Sequence, residues 1–205
     1  MYPLDDLQQD ALIEAFNVGI GQAAASLSDI VREPVRLSVL SVRLVPFQAA
    51  CQQLGAGSNE RICAVSQTFS GAFDATGLLI FPEPQSLEVV RLMLNTTLSL
   101  EALTELEQDA MSEIGNILLN ACTGAVAQIF ASRLNSSLPR YQLGTPAEIL
   151  APHARDEADL VMLLHIDLLL ERRQLRGVIA FMLNGSAMER LVAQIDRYLA
   201  SLRLG

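Results

Sequence analysis

EAFNVGIGQAAASL, residues 14–27, and EIGNILLNACTGAV, residues 113–126, each place a glutamate and an asparagine three positions apart in a run with helical apolar spacing. One such pair reads as the solvated side of a surface helix. The same pair written twice, 99 positions apart, predicts a duplicated chain.

Working outward from the first copy, Ile13, Phe16, Ile20, Ala23, Leu27 and Val31 form the apolar stripe of a helix from about residue 5 to 32. Strand-like runs follow at 35–45, 61–70 and 75–81, then a shorter helix in PEPQSLEVVRLML with Ser86 as the expected N-cap. The second half repeats that order. Thr104 and Glu107 suggest a capping box opening a helix that runs to about Leu134. Strands are predicted at 139–150, 158–170 and 175–183, with ERRQ as the connecting turn and a closing helix from Ser186. The fold class is therefore α/β (α+β), with two α-β-β-β-α units, about 1–99 and 100–205, packed about a pseudo-twofold axis into one domain. No Gly/Ser-rich linker separates the halves, and antiparallel pairing is expected inside each.

Composition narrows the function. A 51% hydrophobic content supports a sizeable core, and 14 Lys plus Arg against 23 Asp plus Glu give a net charge of −9. That charge argues against nucleic acid or an anionic membrane surface as the partner. Cys51, Cys63 and Cys122 lack metal-ligand spacing and read as reduced thiols; His153 and His165 form no zinc motif. The acidic N-terminus carries no signal-peptide pattern, and LVMLLHIDLLL is interrupted by His165 and Asp167. A cytoplasmic protein without membrane insertion is expected.

At 100° per residue, Asp10, Glu14, Asn17 and Gly21 share one narrow face of the first helix, apart from its core stripe. Asp109, Glu113, Asn116 and Asn120 draw the same face on the second. Asparagine is a poor helix former, so a plain solvated face gives no reason for it. Glycosidase chemistry would need an acid–acid pair, and a straight helix face does not wrap a cation. A carboxamide can hold and aim a water, and a carboxylate beside it can pair with a lysine. Together they suit water attack on a phosphoryl group whose charge is stabilised from elsewhere.

These residues resemble the motif of the CheC family of chemotaxis phosphatases, relatives of CheX and FliY: Asp or Ser, three residues, Glu, two residues, Asn, then 22 residues and Pro. Asp109, Glu113, Asn116 and Pro139 satisfy every element, whereas Asp10, Glu14 and Asn17 are followed by Leu40 at the proline position. Two motifs in one chain look like CheC rather than CheX, which carries one. The resemblance implies hydrolysis of the aspartyl phosphate of a CheY-like phosphorylated response regulator. It makes Asn17 and Asn116 the residues that orient the attacking water, and Glu14 and Glu113 partners of the receiver's lysine. Asp10, Asp109 and Pro139 would support the site. It also implies that Mg²⁺ comes from the receiver, with no cofactor bound by this chain, and that the deamidase CheD is a possible partner. A binding module docking on a phospho-receiver or flagellar switch component is the alternative. Pro139 should define how the chain enters its strand, while Leu40 should merely continue one.

Overall fold

The computed structural model describes residues 4–55, 60–71, 74–94, 100–129, 133–154, 159–170, 173–183 and 185–202. Helix α1 spans Asp6–Val31. Asp5 caps it: its carboxylate accepts from Gln8 N at 2.8 Å, and Gln8 Oε1 accepts from Asp5 N at 3.0 Å. That reciprocal pair satisfies two otherwise orphaned N–H groups. Arg32, at φ 58°, ends the helix in the left-handed region.

Strand β1 (Val35–Pro46), helix α2 (Phe47–Leu54), strands β2 (Ile62–Gly71) and β3 (Ala75–Pro82) and helix α3 (Glu83–Met93) complete the first half. The second half runs α4 (Leu100–Ile129), β4 (Leu134–Ser136), β5 (Arg140–Gly144), α5 (Pro146–Leu150), β6 (Leu160–Leu170), β7 (Arg173–Leu183) and α6 (Gly185–Leu202). Among the described residues, seven strands lie in one sheet of order β1-β6-β7-β3-β2-β4, with β5 also on β2, and each pairing is antiparallel.

The order reads the same from either edge. β2–β3 and β6–β7 pair within their halves, but each half's first strand is given away: β1 lies on β6, and β4 and β5 lie on β2. Pairing inside each half therefore holds for the hairpins and fails for the edge strands. At the central seam Leu79 faces Ile179, its counterpart one repeat later, which marks where the two halves turn into one another.

The two faces of the sheet explain its composition. On β2, Cys63, Val65 and Phe69 pack into the large core with α1, α3, α4 and α6, while Ile62 and Ala64 face Ala50 of α2 and Ile149 and Leu150 of α5. Burial on both faces removes the apolar–polar alternation of a half-wet strand. Phe16 of α1 stacks on Phe181 of β7 with ring centroids 6.1 Å apart. The α1–α4 crossing is tight: a Cβ on Gly19 would lie 2.5 Å from the Ala121 carbonyl oxygen.

Three local expectations are corrected. Ser86 is not an N-cap; it lies inside α3, buried, with its Oγ donating to Glu107 Oε1 at 2.5 Å and contacting Glu83 O at 2.8 Å. The helix expected from Thr104 begins at Leu100, and the buried Glu107 serves that tertiary contact. The run 139–150 is not one strand: after β5, Thr145 caps α5, its Oγ1 accepting from Glu148 N at 3.3 Å while Glu148 Oε2 accepts from Thr145 N at 2.9 Å. Of the expected ERRQ turn, Glu171 and Arg172 lie outside the described residues, while Arg173 and Gln174 already belong to β7, opposite Leu170 and Leu169. Among the described residues no helix is long and apolar enough to cross a membrane.

Candidate functional site

The acid–amide faces of α1 and α4 both stand on the surface. Asp10, Glu14 and Gly21 are exposed and Asn17 is half-buried; Asp109, Glu113 and Asn120 are exposed and Asn116 is half-buried. A Cβ added at Gly21 would meet nothing within 4 Å, so the first face is open one turn beyond Asn17. Asp10, Glu14, Asp109 and Glu113 make no hydrogen bond or ion pair with a described residue, leaving both glutamates available to an incoming cation.

The asparagines are held by the sheet behind them. Asn17 Oδ1 accepts from Val39 N of β1 at 2.8 Å. Val39 can give its N–H away because β1 is the edge strand, with no strand among the described residues on its outer side. Beside it the ladder is irregular, Val39 facing Ile166 and Ser41 facing His165, so Leu40 has no partner on β6. Leu40 continues β1 as expected, but as a bulge residue, 52% exposed.

The second site has the same break. Ser137 N donates to Thr68 O at 2.9 Å, and Arg140 is the next paired residue, opposite Ser66. Gln67 therefore stands opposite both Leu138 and Pro139. Pro139 occupies the bulge position that Leu40 holds in the first half. Having no N–H, proline loses nothing where the ladder is already interrupted. The proline of the motif and its leucine counterpart thus mark one structural device, an edge-strand bulge beside the asparagine.

The donors differ. Gln67 Nε2 donates to Asn116 Oδ1 at 3.0 Å and to Ser137 O at 3.0 Å. Asn120 Nδ2 donates to Asn116 O at 2.7 Å and to Oδ1 at 2.8 Å. In both sites the carboxamide oxygen is engaged, and no described residue accepts from Nδ2 of Asn17 or Asn116. Each asparagine presents its amino edge beside a glutamate one turn earlier on the helix. At Asn17 one lone pair of Oδ1 is also unused; at Asn116 Oδ1 already takes two donors.

Exposed aliphatic side chains border these faces: Leu7 (54%) and Val18 (58%) on α1 with Leu40, and Leu106 on α4 with Leu138 (88%). Behind Asn116, α4 lies directly on β2, where a Cβ on Gly115 would stand 2.6 Å from Val65 Cβ. The sequence reading placed the asparagines and glutamates together and missed Gln67, which donates to Asn116 Oδ1, and Ser137, whose carbonyl accepts from Gln67. Gln67 is a polar residue in the otherwise apolar inward row of Cys63, Val65 and Phe69, and that was the available signal.

No family model matches the chain. It is 24% identical over 139 residues to the CheY-P phosphatase CheC of Bacillus subtilis (strain 168), covering 66% of each chain. It is 21% identical over 142 residues to the flagellar motor switch phosphatase FliY of the same organism, covering 68% of this chain and 36% of FliY. The chain thus spans less than two thirds of the length of these relatives. By fold it matches Thermotoga maritima FliY with a TM-score of 0.74 at 16% identity, covering 95% of this chain and 98% of that one. The middle domain of H. pylori FliM matches with a TM-score of 0.64 at 10% identity, covering 93% and 99%. In sequence and in fold, this chain is similar to the family of CheC, CheX and FliY.

Proposed function

We propose that the protein is a phosphatase acting on the aspartyl phosphate of a CheY-like response regulator, with the two helix faces as its active surfaces. The observation that carries this reading is the anchoring of both asparagines by their oxygens, which turns a carboxamide N–H edge outward next to a glutamate. A water accepting one N–H from Asn17 or Asn116 keeps a lone pair for phosphorus. As its oxygen bonds phosphorus, the bond from phosphorus to the aspartyl oxygen breaks and one proton of the water passes to a phosphoryl oxygen, giving a carboxylate and dihydrogen phosphate. Glu14 or Glu113 pairs with the receiver's lysine and fixes the docking angle, since positioning supplies most of the rate in such transfers. The receiver would bring its own Mg²⁺ to offset the charge on the phosphoryl group, so this reading asks no residue of this chain to hold a metal. Asp10, Asp109 and the exposed aliphatic residues border the contact.

A second reading, supported by the likeness to the FliM middle domain, is a docking module that binds a receiver or switch component without hydrolysis. Phosphate release decides between them. The protein mixed with a phosphorylated CheY-type receiver should speed loss of the phosphoryl group well above the receiver's own rate; binding without acceleration would support the docking module.

A further inference from the structure

We propose that Gln67 is the positioning residue of the second site, fixing which edge of the Asn116 carboxamide meets the partner. The inference rests on the reading of Asn116 above and adds a residue to it.

Gln67 is 1% exposed and sits in the row of β2 that faces α4, between Val65 and Phe69. Its orientation is dictated from the sheet. The Ser137 carbonyl can only accept, so the amino end of Gln67 must face it, at 3.0 Å. The second proton on Nε2 then points at Asn116, which answers with its oxygen, also at 3.0 Å; the exposed Asn120 Nδ2 donates to the same oxygen at 2.8 Å, so Gln67 is the buried one of two donors that hold it. A backbone carbonyl on the bulged edge strand thereby sets the polarity of an amide on the helix, with Gln67 as the relay. In the first half the matching position is Ile166, opposite Val39, whose backbone N–H performs the same service for Asn17. The two sites reach one arrangement through different donors, and only the second depends on a side chain of the sheet.

The arrangement is poor for stability. Gln67 Oε1 is buried and accepts no hydrogen bond from a described residue. A buried unpaired acceptor is unfavourable, and an apolar side chain of the same length would remove it. A glutamine present only to fill the core would be expected to satisfy both ends.

The test uses the full chain carrying Asn17→Ala, so that the second site acts alone, with a CheY-type receiver phosphorylated by acetyl phosphate. Gln67→Met should lower the rate at saturating receiver on the order of tenfold, as expected for a mispositioned group. The half-saturating concentration should stay within about twofold, because the docking surface is untouched. The melting temperature should hold or rise by about 2–4 °C. Gln67→Glu, which cannot donate to Ser137 O or to Asn116 Oδ1, should lose at least as much rate. An undiminished rate in Gln67→Met overturns the proposal, as does a loss confined to half-saturation or matched by a fall in melting temperature. Full hydrolysis by the Asn17→Ala/Asn116→Ala protein would instead overturn the reading of the site, and the role of Gln67 with it. The Asn116 side-chain amide signal in ¹H–¹⁵N spectra needs no activity: it should move in Gln67→Met, and an unmoved signal overturns the proposal even where no receiver is hydrolysed.

Discussion

Asn17→Ala should destabilise the fold measurably more than Asn116→Ala, although the two residues are twins in sequence. Val39 is 5% exposed, and its N–H, on the outer side of the edge strand β1, goes to Asn17 Oδ1 at 2.8 Å. Removing the acceptor leaves a buried backbone donor without a partner, a loss of about 1–3 kcal/mol. Alanine returns roughly 0.5 kcal/mol through its better helix propensity. In the second site Gln67 Nε2 keeps Ser137 O after Asn116 is truncated, so the loss and the helical gain should nearly cancel. Urea unfolding followed by circular dichroism at pH 7 should therefore separate the variants by about 1–2 kcal/mol, or roughly 2–8 °C in melting temperature. Asn17→Asp keeps an acceptor for Val39 N and should retain most of the stability while deleting the amino edge. An Asn116→Ala protein as unstable as Asn17→Ala, or an Asn17→Asp protein no better than Asn17→Ala, would refute the anchoring argument.

Replacing Glu14 and Glu113 by Ala should weaken receiver docking by roughly 2–5 kcal/mol if each pairs with a desolvated lysine. Replacement by Lys should be worse, and equal affinities in a binding titration would contradict an ion pair. Gly115→Ala pushes a methyl into Val65 of β2 and should destabilise by about 1–3 kcal/mol; adding Val65→Ala should recover part of that, as thermal unfolding can show. His153 and His165 are both held below the usual histidine range, chiefly by burial, with the Arg140 and Arg43 charges adding to it respectively. The unfolded chain then binds protons first, so stability is complete above about pH 6.5 and falls as the pH drops below it. A His153→Gln/His165→Gln protein should flatten the slope of urea stability just below about pH 6.5.

The long helices and both acid–amide faces were legible because each is a property of one periodic segment. So were β2, β3, β6 and β7, as dense apolar runs. The exchange of edge strands was not: β1 has the same sequence whether it lies on β2 or on β6, and only the packed sheet decides. The bulges at Leu40 and Pro139 are likewise a matter of register between strands distant in sequence. The failures at Ser86 and at Thr104–Glu107 have a different origin, since both matched a local pattern that tertiary structure used otherwise. The Ser86 hydroxyl and the Glu107 carboxylate meet between α3 and α4, and α3 starts earlier, with Pro84 in its first turn. By contrast the box of Thr145, Pro146 and Glu148 is plainly written in the sequence and starts α5 inside a run whose apolar content resembles a strand. Gln67 could have been found by asking why one inward position of β2 is polar.

The central claim is that an outward-facing carboxamide on each helix drives hydrolysis, and the Asn17→Ala/Asn116→Ala protein tests it most directly. Phosphate release from a phosphorylated CheY-type receiver should be followed at saturating receiver, with circular dichroism confirming that the variant is folded. Acceleration should fall on the order of 100-fold or more while receiver binding through Glu14 and Glu113 persists. A folded double variant that releases phosphate as fast as the unaltered protein would contradict it.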